Sequence, residues 1–154
     1  DAVAAMSGGR QTIQYEAQAA IELMQMAGGR LGEAAFPCEV YEEDAMLRIS
    51  VRSLIRAVAE AVQSCMAQSE ISRRFHAGLV AVLTRVAEEA RRREKMNLVA
   101  LSGGVFQNRL LLEGLVGSLR RAGFQVLLHK ELPCNDGCIS LGQAVIGRQF
   151  LKKG

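Results

Sequence analysis

Two short clusters in this sequence combine residue types that could bind a ligand. Ser102, Gly103 and Gly104 stand immediately after the apolar run 97–101, and Asn108 follows within one helical turn. Glycine has no Cβ, so a ligand can approach that backbone closely and φ can turn positive. A helix opening at Asn108 would offer free N–H groups and the positive end of its dipole, which favour an anionic or strongly polar ligand. Asn108 itself can cap that helix or hydrogen-bond the ligand. The second cluster is Asn135-Asp136-Gly137, where the Asp136 carboxylate could hold a hard cation beside a nucleotide or simply cap a helix as part of a plain turn. His129, Cys134 and Cys138 look like a rival set, but HxxxxCxxxC is not a zinc spacing and no fourth ligand stands near. Neither cysteine has the paired base that would mark a nucleophile. The glycine turn is neither GxGxxG nor a phosphate loop, and on its own it does not name a ligand.

Both clusters depend on the elements between them. Residues 97–101 suit a buried strand entering a tight turn. Residues 108–121 form a leucine-rich helix with Leu111, Leu115 and Leu119 on one face, and Gly123 stands where a C′ glycine stops it. Residues 124–129 read as a second strand, and 133–137 as the polar turn that opens a last helix. This is a β-turn-α-β unit, whose parallel strands should be joined by a right-handed crossover. In open parallel sheets ligands bind at the carboxyl ends of the strands. The 102–108 and 130–137 segments both follow such ends, so Asp136 is expected near the mouth of the glycine turn.

The segments LSGGVFQNRLL and LPCNDGCISLGQA, in that order, resemble the carboxyl end of the HypF carbamoyltransferases of [NiFe]-hydrogenase maturation. The opening DAVAA and the later YEAQAAIEL and RRFHAGL resemble preceding segments of the same family, so the likeness runs over essentially the whole chain. It implies an α/β fold, the helix-rich second lobe of an actin, sugar-kinase and heat-shock-chaperone type (ASKHA) domain shared with the transferase TsaD, with residues 1–154 as one lobe of a longer chain. It implies a transferase that uses carbamoyl phosphate and ATP, through carbamoyl adenylate, to carbamoylate the C-terminal cysteine of HypE. The resemblance assigns nucleotide contacts to Asp1, Glu16, Ala17, Ser102, Gly103, Gly104 and Asn108, and a divalent metal, iron or zinc, to Asp136. The family's metal-binding HxxxH motif lies in the other lobe; His76 and His129 are the only histidines here. An isolated lobe of this kind is expected to be inactive. Two features depart from the family pattern: Ala17 replaces a usual glycine, and Cys138 stands at a second one. The alternatives are a nucleotide-binding lobe of a TsaD-like or sugar-kinase-like protein, and a non-catalytic interaction module.

The remaining composition narrows the classes further. With 154 residues, 49% hydrophobic content and no Trp, the chain can build an Ala/Leu/Val-packed, helix-rich core. A formal charge of +3 is too small to argue for nucleic acid. No apolar run approaches the ~18 residues of a membrane span, and no secretory signal is present, so a cytoplasmic protein with reduced cysteines is expected. Residues 1–6 read as a helix stopped by Ser7-Gly8-Gly9, and 12–27 as a second helix with Glu16 near its start. Residues 36–41 and 45–50 suggest strands joined by the acidic turn 42–44. Ser50 could cap a helix with Leu54, Val58, Val62 and Met66 on one stripe, and Ser69 a longer one from Ile71 to Ala90. His76, among apolar neighbours, reads as a core histidine. Arg91-Arg92-Arg93 read as a solvated run that complements a helix dipole.

Overall fold

The computed structural model describes residues 1–151. Helix α1 (Ala2–Met6) and helix α2 (Gln18–Met26) lead to a hairpin of β1 (Glu39–Glu43) and β2 (Met46–Ser50). Helices α3 (Arg52–Gln63) and α4 (Gln68–Glu94) follow, then β3 (Leu98–Leu101), α5 (Arg109–Arg121), β4 (Gln125–Leu128) and α6 (Ile139–Leu151). The hairpin is antiparallel, and β3 pairs with β4 in parallel, from Leu98 opposite Gln125 to Leu101 opposite Leu128. The expected β-turn-α-β unit is therefore present, in an α/β chain dominated by helices.

Two apolar clusters hold these elements. The first gathers Val3, Ala19, Leu23, Phe36, Leu54, Val58 and Ile71 around the first half of α4. The second packs Leu111, Leu115 and Leu119 of α5 with Val80 of α4, Leu101 of β3 and Phe124. Leu79 touches both, so the 27-residue helix α4 is the spine that joins the halves. The leucine spacing in α5 does what it predicts: those three leucines are 1–2% exposed. The helix ends in a Schellman motif. Gly123 has φ +85°, its N–H bonds the Arg120 carbonyl, and the Phe124 N–H bonds that of Leu119.

Several boundaries differ from the sequence expectation. Helix α2 begins at Gln18, not Thr12, because residues 14–17 form a turn. The Gln18 side chain accepts the Gln14 N–H at 2.8 Å, and Ala17 enters the helix at φ +62°. Glu16 therefore precedes the helix and does not sit in its first turn. In α3 the buried stripe is Leu54, Val58 and Ala61, while Val62 is exposed. Ser69 lies inside the first turn of α4, whose N-cap position is Ala67.

The charged runs are tied into the fold. Glu42 pairs with Arg93 at 2.7 Å and Glu43 pairs with Arg48, so two of the three carboxylates of the acidic turn are held by arginines. Arg91 lies 4.1 Å over the Phe124 ring and donates to the Ala122 carbonyl, closing the end of α4 onto the end of α5. Of the three arginines read as solvated, Arg91 and Arg93 are latches instead. No helix among the described residues is long and apolar enough to cross a membrane.

Candidate functional site

The glycine turn follows β3 as expected. Gly103 takes φ +110°, a conformation that L side chains rarely adopt, and nothing lies within 4 Å of where a Cβ would stand. A single turn of 3₁₀ helix, Gly104–Gln107, then leads to Asn108. The Asn108 Oδ1 accepts the Leu111 N–H at 3.0 Å and caps α5. Of the two roles open to Asn108, capping is the one its side chain performs. Its amide nitrogen is also engaged, 3.0 Å from His76 Nε2.

The loop after β4 meets this turn. The Gly103 N–H donates to the Cys134 carbonyl at 2.7 Å, and a Cβ on Gly104 would stand 3.9 Å from that of Asn135. The bond to Cys134 occupies the Gly103 N–H. Those of Gly104 and Val105 keep no hydrogen-bond partner among the described residues. At the last turn the capping side chain is that of Asn135, whose Oδ1 accepts the Gly137 N–H at 3.1 Å. Asp136 is exposed; its carbonyl accepts the Ile139 N–H, and its carboxylate has no hydrogen-bond or ion-pair partner among the described residues.

One pair was not anticipated. Ser102 Oγ lies 2.8 Å from His129 Nε2. The sequence shows that each residue immediately follows its strand, but it takes the parallel register of Leu101 with Leu128 to set the two side by side. Ser102, Gly103, Gly104, His129 and the 134–136 backbone thus form one mouth at the strand ends, where open parallel sheets bind ligands. An apolar groove of about 420 Å³ lies on the α4 side of β3, lined by Leu83, Ala87, Val99, Phe106 and Phe124.

Asp1, Glu16 and Ala17 belong to the other half. Helix α1 packs on α2 and α3, and no hydrogen bond or ion pair links these three residues to the glycine turn. No three His, Cys, Asp or Glu side chains gather into a metal site among the described residues. Asp136 alone is one oxygen donor. The described residues therefore do not by themselves fit the divalent metal that the resemblance implies.

A family described as "Carbamoyltransferase, Kae1-like Domain, second subdomain" matches residues 1–143. The chain belongs to the HypF carbamoyltransferases. It is 34% identical, over 98% of its length, to the carbamoyltransferase HypF of Synechocystis sp., of which it covers 19%. A crystal structure of full-length HypF in the phosphate- and nucleotide-bound form matches 97% of the chain, with a TM-score of 0.89 and 38% identity, and the match covers 20% of that protein. HypF of T. kodakarensis matches with a TM-score of 0.83 and 25% identity, over 99% of this chain and 19% of that one. The chain thus spans about a fifth of the length of these relatives. The family's Kae1-like second subdomain is the fold read from the sequence. At Ala17, where the resemblance expects glycine, the positive φ supplies the reason for glycine.

Proposed function

We propose that residues 1–154 are the second lobe of a cytoplasmic carbamoyltransferase, and that the mouth between the 102–108 turn and the 130–137 loop takes the phosphate side of ATP or carbamoyl adenylate. The observation that carries this reading is the bond from Gly103 N–H to the Cys134 carbonyl, which joins the two strand-end loops beside the unpaired N–H groups of Gly104 and Val105. The likeness to a relative solved with phosphate and nucleotide supports it. In this reading Ser102, Gly103 and Gly104 face the ligand, and Asn108 acts through the helix it caps. Asp1, Glu16 and Ala17 reach the nucleotide from the α1–α2 side. The substrates are carbamoyl phosphate and ATP, and the carbamoyl group goes to the C-terminal cysteine of HypE. The chain alone does not perform the transfer, because little of a ligand is buried by half a cleft.

Asp136 would be this lobe's single ligand to a divalent metal, with the others supplied from outside residues 1–151. A structural role for Asp136 is answered by Asn135, which already caps the turn. In the intact transferase, Asp136→Asn should keep the thermal midpoint and lose carbamoyl transfer to HypE, because asparagine keeps the shape and turn propensity but not the anionic oxygen. Near-normal transfer by a folded variant would defeat the assignment.

A further inference from the structure

A buried hydrogen-bond chain runs from the first apolar cluster to the glycine turn. Ser72 and His76, 0% and 1% exposed, sit one turn apart on α4. Ser72 Oγ donates to the Leu23 carbonyl of α2. His76 Nδ1 lies 2.8 Å from the Ser72 carbonyl, which can only accept, so Nδ1 carries the proton. Nε2 is then a bare acceptor, 3.0 Å from the Asn108 amide nitrogen. That contact fixes which way the Asn108 amide faces, and its oxygen is left to cap Leu111 at 3.0 Å. Turning the amide over would set oxygen against a lone pair and NH₂ against N–H. Burial holds the ring in its neutral form by lowering its pKa, outweighing the Ser72 carbonyl.

We propose that His76 is a positioning residue for the nucleotide turn: its unprotonated Nε2 orients the Asn108 amide, which sets the start of α5 and the Gly104–Gln107 turn leading into it. The proposal rests on the reading above that this turn receives the nucleotide. A purely apolar core residue would fill the space, but it would leave only the Leu111 N–H to select how Asn108 faces, with the Asn108 NH₂ unpartnered.

Two substitutions separate orientation from packing. Glutamine can carry its amide oxygen to the place of Nε2, and so keep Asn108, while giving up the Ser72 carbonyl. Asparagine can keep the Ser72 carbonyl but cannot reach Asn108. In the 154-residue chain, ATP is titrated while backbone amide signals are followed by NMR. His76→Gln should keep the Leu111 amide shift and bind within about twofold of wild type. His76→Asn should move that shift and bind about fivefold more weakly, as expected for a lost cap. Equal weakening in both variants, in step with their thermal midpoints, would overturn the proposal. If neither variant folds, imidazole ¹⁵N signals decide it, first in the wild-type chain. An Nε2–H tautomer there would overturn it. Asn108→Asp then keeps the cap but faces Nε2 with a carboxylate, so His76 should become protonated well above its wild-type pKa; an unchanged titration would overturn it as well. Absence of any ATP-dependent shift at 102–108 in wild type would sink the nucleotide reading, while the tautomer and the Leu111 signal still decide the role of His76.

Discussion

Residues 98–121 and 125–151 follow the same plan twice. Each has a four-residue strand, a loop, one turn of 3₁₀ helix and a 13-residue helix, with an asparagine accepting a backbone N–H, at the start of the helix in the first and of the 3₁₀ turn in the second. Their fates are opposite. Helix α5 buries Leu110, Leu111, Leu115, Val116 and Leu119, whereas no residue of α6 is buried. Ile139, Leu141, Val145, Ile146 and Phe150 of α6 stand 45–74% exposed. The difference teaches what a periodic apolar pattern encodes. It specifies that a face must be covered, and says nothing of what covers it. For α5 the cover is α4, inside the chain. An isolated helix of α6's length is marginal in water, and the proposed role as one lobe of a larger transferase gives such a face somewhere to pack.

The sharpest way to break the comparison is a matched pair of truncations. Leu115 is 2% exposed and central to the second cluster, so Leu115→Ala should cost about 2–5 kcal/mol in urea unfolding of the chain. Val145 is 54% exposed at the middle of α6, and Val145→Ala should stay within about 0.5 kcal/mol. Comparable losses would mean that α6 is buried in solution.

The polar entries of the two helices differ as well, and pH separates them. Asn108 rests on a buried histidine; the Asn135 side chain hydrogen-bonds only within its own turn among the described residues. His76 has a lowered pKa in the folded chain because burial penalises its charge, while an unfolded histidine titrates near about 6.5. The unfolded chain therefore binds the proton more readily. The stabilising contribution of neutral His76 is present above about pH 6.5 and is lost as pH falls through the folded value. Urea midpoints of wild type and His76→Gln, followed from pH 7.5 downward, should diverge below about pH 6.5, with wild type falling faster. Parallel curves would remove the histidine from the account.

Much of this arrangement was legible in the residues, and the failures have causes. The 97–123 unit was readable because four-residue leucine spacing, an Asn cap and a C′ glycine all agree on one helix. The meeting of the two strand-end loops followed from parallel topology alone. The Ser102–His129 pair needed the strand register, which neither strand carries in its own sequence. Asn108 admitted two roles; its oxygen caps Leu111, and its nitrogen is taken up by His76, 32 residues away, a partner that local sequence does not announce. The start of α2 was misplaced because a buried glutamine, Gln18, holds a turn over residues 14–17 that local periodicity does not announce. Arg91 and Arg93 were misread for the same reason: their partners are Phe124, Ala122 and Glu42, all distant in sequence.

The entry to α2 extends the comparison to a helix with no asparagine at its start. Ala17 holds φ +62° there and has no side-chain acceptor to offer the free N–H groups. It cannot relax into the right-handed region without breaking the turn, because Gln18 Oε1 holds the Gln14 N–H and Ile21 N–H bonds the Ala17 carbonyl at 2.9 Å. The left-handed conformation costs a residue with a Cβ about 1–2 kcal/mol. Glycine avoids that cost but adds about 0.4–1 kcal/mol of unfolded-state entropy. Ala17→Gly should therefore stabilise the chain by about 0.5–1 kcal/mol, a rise of a few degrees in thermal midpoint. Neither residue caps the helix, so the change reads backbone strain alone. A midpoint unchanged or lowered would show that the turn at residues 14–17 relaxes in solution, and that α2, unlike α5, has no fixed point of entry.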